Sequence, residues 1–291
     1  MILSVGEILL DIYAKENLSS LDMNARIGGA PFNVAANIAN NGGNVSFYGA
    51  IGKDGFGSFL RKEAEAYPFK TLLLDETEYP TTLALVSLRN GERSFSFLRG
   101  ADFHLSSERL NDFSLNKGDI LHIGSLMLSE DEGRIFFKQA SIFAQKKGVY
   151  LSLDINIRPT LFENQKEARC VFEEACPCVD FLKASEEDLE FLGMSPEELK
   201  NRYMKEKSIL FVSRSSNGSD VYIGNEHYSV PSKKIDVLDS TGAGDAFFAR
   251  ILLELDHCFN PYSLSIENWK GILMKANEDG ANACLHKGAL K

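Results

Sequence analysis

The sequence predicts an α/β protein: an open parallel sheet wrapped by crossover helices, with a second, smaller β sheet set apart from it. Three observations predict this. Short apolar runs suited to strands alternate with helical patterns along most of the 291 residues, the order that builds a parallel sheet. One stretch, 81–99, departs from that rhythm with partial period-two alternation about Asn90-Gly91, a strong two-residue hairpin signal. The length, at about 150 residues per domain, suits either two domains or one large α/β domain with an appendage.

Residues 2–14 are an apolar run suited to one buried strand, and 31–41 read as a helix rich in small residues. A strand over 45–51, a helix over 56–67 and a strand over 71–74 follow. After the hairpin the alternation resumes with strand 120–124, helix 133–147, strand 149–156, helix 166–175 and strand 181–184. Two short helices, 186–192 and 196–205, precede a strand over 209–213, and helices over 243–255 and 268–284 close the chain. The segment 15–27 lies between the first strand and the first helix. Paired with that strand, it forms with the hairpin a flap at the carboxyl edge of the main sheet, the edge where open parallel sheets bind ligands.

Composition narrows the function classes. With 44% hydrophobic, 25% charged and 10% aromatic residues the chain is an ordinary globular protein. Its 41 acidic against 31 basic residues, without a basic patch, exclude nucleic acid as a partner. The first residues lack a basic region and carry Glu7 and Asp11 among the apolar ones, so they do not read as a signal peptide. The apolar stretch 246–255 carries Arg250 and Glu254 and cannot span a bilayer. No membrane association and a cytoplasmic location are expected. Five cysteines, with only Cys176 and Cys178 close together, lack metal or redox spacing and are expected to be reduced thiols. His122 reads as strand core, and the other histidines show no ligand spacing.

Two stretches carry chemistry. In Asp239-Ser240-Thr241-Gly242-Ala243-Gly244-Asp245, small residues precede a long apolar helix. Their backbone N–H groups are free to face an anion at the helix N-terminus. A carboxylate there repels phosphate, a conflict resolved if Asp245 takes the proton of a hydroxyl attacking a phosphoryl group. The blander alternative has Asp239 or Ser240 capping the helix and Asp245 as a first-turn acid. In Gly28-Gly29-Ala30-Pro31-Phe32-Asn33, two glycines allow close backbone approach and Asn33 projects an amide near a helix start, a pairing suited to hydroxyl recognition. There is no dinucleotide fingerprint and no Walker loop.

These residues resemble the two signatures of the PfkB-type (ribokinase-like) carbohydrate kinases, with Gly52-Lys53-Asp54-Gly55-Phe56-Gly57 resembling a further turn of that family. The resemblance covers nearly the whole chain and is greatest to the fructokinases: Gly28–Pro31 reads GGAP, with Arg99–Asp102, Asp154–Pro159 and Ser185–Leu189 similar to the fructokinase versions. It implies a ribokinase-like, Rossmann-type three-layer α/β sandwich with a small β-sheet lid. The chain 1–291 would be a single kinase domain, with lid segments at about 12–27 and 80–103. ATP and Mg²⁺ are the implied co-substrates, and a ketohexose hydroxyl the acceptor. Asp245 is the implied base and Gly242, Ala243 and Gly244 the implied anion turn. Asp11, Gly29, Asn33, Arg99 and Arg158 would meet the sugar or the transferred group. Ser185, Ser213, Ser215, Gly218, Asn277, Gly280 and Ala281 would meet the nucleotide. A homodimer through the lid is a further expectation.

The chain also departs from the family. The common NxxE motif is Ser185-Glu186-Glu187-Asp188 here, which leaves Asp188 as a water-mediated metal contact. Ser215 stands where glycine is common in the phosphate loop. A K⁺ ion is implied beside Asp239 and Thr241 and the carbonyls of Ala283, His286 and Gly288, but the chain stops three residues beyond Gly288, so only modest K⁺ stimulation is expected. Two alternatives stay open: a 2-keto-3-deoxygluconate or related sugar-acid kinase, and a non-catalytic sugar-binding protein on the same fold.

Overall fold

The computed structural model describes residues 1–16, 21–89, 92–258 and 260–290. Among them, strands form two sheets. The large sheet takes β1 (Ile2–Val5), β4 (Val45–Gly52), β5 (Leu72–Thr77), β8 (Ile120–Ile123), β9 (Tyr150–Asp154), β10 (Phe181–Ser185), β11 (Ile209–Ser213), β12 (Ser219–Ile223) and β13 (Glu226–Val230). The small sheet takes β2 (Leu9–Glu16), β3 (Leu21–Gly28), β6 (Leu83–Arg89) and β7 (Glu92–Leu98).

The nine-stranded sheet runs β13-β12-β11-β10-β9-β8-β1-β4-β5, parallel from β11 to β5 and antiparallel at β12 and β13. Every residue of β1, β4 and β8 is buried, as expected of central strands covered on both faces. One face carries α1 (Ala30–Asn40), α2 (Gly55–Ala64), α7 (Ala243–Asp256) and α8 (Ile266–Ala283), whose Phe32, Leu60, Phe248 and Trp269 share a core with Phe47 and Phe211. The other carries α3 (Asp131–Lys147), α4 (Gln165–Ala175), α5 (Glu186–Leu192) and the single turn α6 (Pro196–Glu198), with Phe136, Phe172 and Leu189 packed on Leu121 and Leu182. The expected three-layer sandwich is therefore present.

Two expectations need correction, and one element was not expected. The run 2–14 is not one strand: β1 ends at Val5, the chain turns at Gly6 (φ 145), and β2 enters the small sheet at Leu9. A continuous apolar run hides a change of sheet, because neither half alters its periodicity. The helix expected over 196–205 is only the turn α6 followed by a wider π-type turn, Leu199–Tyr203. There buried Lys200 turns its ammonium onto the carbonyls of Lys205 and Glu206. The β12–β13 hairpin was unforeseen, although Gly224-Asn225 between two alternating runs is a hairpin signal, and Gly224 adopts the required positive φ of 55.

The small sheet is ordered β3-β2-β6-β7, with β2 and β6 parallel and the outer pairs antiparallel. The expected pairing of the segment after the first strand is thus present as β2–β3. The register Arg89↔Glu92 flanks Asn90-Gly91, and that turn lies outside the described residues. His122 is core as expected, its ring set edge-on to Phe248 and 3.2 Å from Ser152 Oγ. The cysteines are free thiols. No described helix is long and apolar enough to cross a membrane.

Candidate active site

A cavity of about 390 Å³ opens where the small sheet overhangs the carboxyl ends of β1, β8, β9 and β10. Since β4 lies on one side of β1 and β8 on the other, this is the switch point of the sheet, where such folds bind ligands. Leu9, Asp11, Ala84 and Phe97 line it from the small sheet, Glu7 from the β1–β2 turn, Ser125 and Leu126 from after β8, and Asn156 and Arg158 from after β9.

The N-termini of α1 and α7 meet at this cavity. Gly29 caps α1 with φ 111, a conformation that puts any Cβ onto the Glu7 carbonyl; only glycine fits. From the first turn of that helix, Asn33 Nδ2 donates to Asp245 Oδ2 at 2.7 Å. Asp245 belongs to the first turn of α7, which starts at Gly242 (φ 76). Asn33 Oδ1 is buried and has no hydrogen-bond partner, an acceptor left for a donor that enters the cavity.

The electrostatics are those of a carboxylate site in a low-dielectric pocket. Burial pushes Asp245 upward from the ordinary aspartate value, while the Asn33 hydrogen bond and the charges of Lys183 and Arg158 pull it back. Burial and the neighbouring Asp245 raise Asp11 to about 6, against Arg158. Glu7, whose Oε1 accepts from the Ala30 N–H at 3.2 Å, is raised by burial to about 8, and its Oε2 has no partner.

The structure brings Asp11, Gly29, Asn33, Arg158, Gly242, Gly244 and Asp245 together on one cavity, along with Ser240 and Thr241. Other expected site residues lie elsewhere. Arg99 does not line the cavity. Its Nε and Nη2 are folded onto the fully buried carboxylate of Asp102, with Nη2 2.6 Å from Oδ2, and Nη1 donates to Ser129 Oγ at 2.7 Å. A carboxylate without solvent takes the nearest cation for itself. Asp188 is likewise committed: Oδ1 accepts from Ile157 N and Oδ2 from Ser185 N, both at 2.7 Å. It completes a capping box with Ser185 at the start of α5.

The residues expected to meet a nucleotide flank the cavity rather than line it. Ser213 ends β11, and the loop after it closes on itself, with Arg214 N donating to Gly218 O at 2.8 Å. Ser215 takes φ 47 and Gly218 φ 98, so serine fills a left-handed position that glycine fills more easily. On α8, Asn277 Nδ2 donates to the carbonyls of Val230 and Pro231, Gly280 lies against Ala243, and Ala281 follows in the last turn. Asp239 joins two segments, accepting at Oδ1 from Thr241 N (2.8 Å) and at Oδ2 from Gly288 N (3.0 Å).

The main omission of the sequence reading is Lys183. It is buried in β10, lines the cavity, and pairs with Asp154 Oδ2 at 2.9 Å. A Cβ placed on Gly244 would stand 3.1 Å from its Nζ. Burial raises Asp154 to about 7 against the pull of Lys183. The signal was a lysine inside the apolar run Phe181–Ala184; such a charge is buried only when paired. Asn156 was missed as well: it holds φ 35 and accepts from Arg158 Nη1 at 2.7 Å through its side chain.

For metals, no group of three or more His, Cys, Asp or Glu side chains placed to hold an ion occurs among the described residues. The unpartnered, buried Oδ1 of Asp154 is the free carboxylate oxygen beside Lys183. This oxygen suits a hydrated cation carried in on phosphates.

These buried carboxyls predict how stability varies with pH. Glu7 and Asp11 bind protons more tightly in the folded chain, near 8 and 6, than in the unfolded one, near 4. Their stabilising contribution is complete below the unfolded value and is lost as pH rises through the folded ones, by up to about 1.4 kcal/mol per pH unit for each group. The ligand-free protein should melt at a higher temperature at pH 6 than at pH 8, with Glu7→Gln flattening the difference. Melting temperatures that climb with pH across that interval would contradict these assignments.

Comparison with known proteins agrees with the geometry. The model of the pfkB family carbohydrate kinases matches residues 1–289. Fructokinase-1 of Zea mays is 32% identical over 304 residues, covering 100% of this chain and 93% of the relative, and a fructokinase of Klebsiella pneumoniae is 32% identical over 78% of this chain and 76% of its own. The ATP-bound fructokinase of Xylella fastidiosa superposes with a TM-score of 0.87 at 28% identity, covering 99% of this chain and 93% of that one. A Vibrio cholerae fructokinase double mutant holding fructose, ADP and potassium gives 0.86 at 27%, covering 100% and 94%. With both helix N-termini, the Asn33–Asp245 pair and a match over nearly its whole length, the chain belongs to the pfkB family of carbohydrate kinases.

Proposed function

We propose that the chain is an ATP-dependent fructokinase converting D-fructose and ATP into D-fructose 6-phosphate and ADP, with residues 1–291 acting as one domain and 12–27 and 80–103 as its lid. The observation that carries the reading is the convergence of Asp11, Asn33, Asp245, Gly242 and Gly244 on one cavity, with Ala243 of the same turn outside its lining.

Asp11, the Gly29 backbone and Asn33 bind sugar hydroxyls. Asn33 also fixes the Asp245 carboxylate so that one oxygen is held and the other meets the hydroxyl to be phosphorylated. Asp245 accepts that proton as the sugar oxygen attacks the γ-phosphorus and the bond to the bridging oxygen breaks, releasing ADP. The turn amides stabilise the developing charge, with Lys183 and Arg158 as the flanking cations. Ser185, Ser213, Ser215 and Gly218 border the nucleotide along the strand ends, and Asn277, Gly280 and Ala281 border it from α8.

Mg²⁺ bound to the triphosphate supplies charge neutralisation. K⁺ fits beside Asp239, Thr241 and the carbonyls of Ala283, His286 and Gly288, with stimulation expected to stay within about tenfold, roughly 1.4 kcal/mol. Replacing K⁺ by tetramethylammonium tests this, and abolished activity would contradict it. A cytoplasmic location and a homodimer through the lid sheet complete the proposal.

The cavity also bears on the sugar-acid alternative. Near neutral pH Glu7 keeps its proton, and Asp11 and Asp245 line the cavity with Arg158 and with a Lys183 already paired to Asp154, a lining that favours a neutral substrate over an anionic one. In an ADP-coupled assay with ATP, kcat/KM should therefore rank fructose above ribose, adenosine and 2-keto-3-deoxygluconate. Any of those three ranking first would overturn the substrate, and no turnover of any sugar would overturn the kinase.

A further inference from the structure

Arg26 lies on β3 directly opposite Asp11 of β2, so the lid residue that meets the sugar and Arg26 occupy one cross-strand position. Arg26 does not line the cavity. Its side chain leaves the lid and donates from Nη1 to the Lys287 carbonyl at 2.6 Å. The same nitrogen lies against Gly288, whose φ of 86 is a conformation that favours glycine.

The contact continues inward. The Gly288 N–H donates to Asp239 Oδ2 at 3.0 Å, in a buried bond, and the other oxygen of Asp239 accepts from the Thr241 N–H at 2.8 Å. Ala289 packs onto the anion turn itself, its Cα 2.6 Å from where a Cβ on Gly242 would stand. An unbroken set of contacts therefore runs from the sugar-facing strand pair through Arg26 and the 287–289 loop to Asp239 and Gly242.

We propose that Arg26 is a positioning residue for phosphoryl transfer: it clasps the lid to the 287–289 loop, so that seating the lid on the sugar sets the anion turn for the nucleotide. The inference rests on the kinase reading above. Arg26 is exposed, and one exposed hydrogen bond adds little to stability, so fold maintenance does not account for it. The consequence is coupling, because a contact made with both the lid and the turn makes sugar and nucleotide each favour the other's bound arrangement. Guanidinium suits the task, since its planar fork donates to a carbonyl.

The test is the dissociation constant of adenosine 5′-(β,γ-methylene)triphosphate with Mg²⁺, measured by calorimetry with and without saturating fructose. In the unmodified protein fructose should tighten this binding by about fivefold or more, the usual lower bound of coupling between sites. In Arg26→Ala the ratio should fall below about twofold, with the affinity for fructose alone and the melting temperature unchanged. Arg26→Lys, which keeps one donor, should lie between the two. A coupling ratio in Arg26→Ala equal to that of the unmodified protein would overturn the clasp, as would a ratio of one in the unmodified protein. Failure of the unmodified protein to phosphorylate fructose is a separate outcome that would overturn the kinase reading instead.

Discussion

Asp245→Asn should lower kcat by about two to four orders of magnitude, the loss expected of a general base. The amide keeps the shape of the side chain and can still meet Asn33, whose Nδ2 now donates to Asp245 Oδ2 at 2.7 Å. It cannot take the proton of the attacking hydroxyl. Nucleotide affinity should change little, because the anion turn is built from the backbone of Gly242–Gly244. Burial holds Asp245 above the ordinary aspartate value and Asp11 near 6, so kcat/KM should fall on the acid side at a pH above the usual carboxylate range. Both groups must be ionised, one to accept a proton and the other to accept sugar hydroxyl hydrogen bonds. Near-normal turnover by a folded Asp245→Asn protein would remove the base from the mechanism.

Lys183→Met carries the second large effect and divides into two. The ammonium is buried against Asp154 at 2.9 Å and faces Gly244 of the anion turn. Removing it leaves a buried carboxylate without its cation, a loss of about 3–5 kcal/mol of stability. It also removes a preorganised charge from the place where the transferred phosphoryl group gains charge, for a fall in kcat of about 10²–10³. The double variant Lys183→Met/Asp154→Asn separates these. It should regain most of the lost stability while kcat remains low. Recovery of kcat together with stability would make Lys183 a structural ion pair only.

Much of this architecture was legible in the sequence because strand and helix periodicities differ and because glycine punctuates where the backbone needs it. The strands around β9, β10 and β11 and the helix α5 were read within a residue or two of their observed bounds. The Gly29–Asn33 and Gly242–Asp245 stretches were readable as helix N-termini that approach a ligand, since small residues there have a steric reason. What escaped notice depends on contacts between distant segments. The change of sheet at Gly6 shows in φ and not in hydropathy. Arg99 was expected at the sugar, but Asp102 beside it is fully buried and holds the guanidinium. Asp188 also holds the backbone of Ser185 and Ile157, contacts between separate segments that its position in the sequence does not show. Lys183 was hidden in plain order: a charge in an apolar strand signals a buried pair, and its partner Asp154 lies on the neighbouring strand, 29 positions earlier.

The central claim is that this cavity presents a primary hydroxyl of fructose to Asp245 and a phosphoryl group to the turn of α7. Incubating the protein with ATP, Mg²⁺ and fructose labelled with ¹³C at C6, and following both ¹³C and ³¹P resonances, tests it most directly. The account predicts that the labelled carbon acquires a splitting from phosphorus at the rate ADP appears. ADP released with inorganic phosphate, or a phosphorus signal that never couples to the labelled carbon, would contradict it.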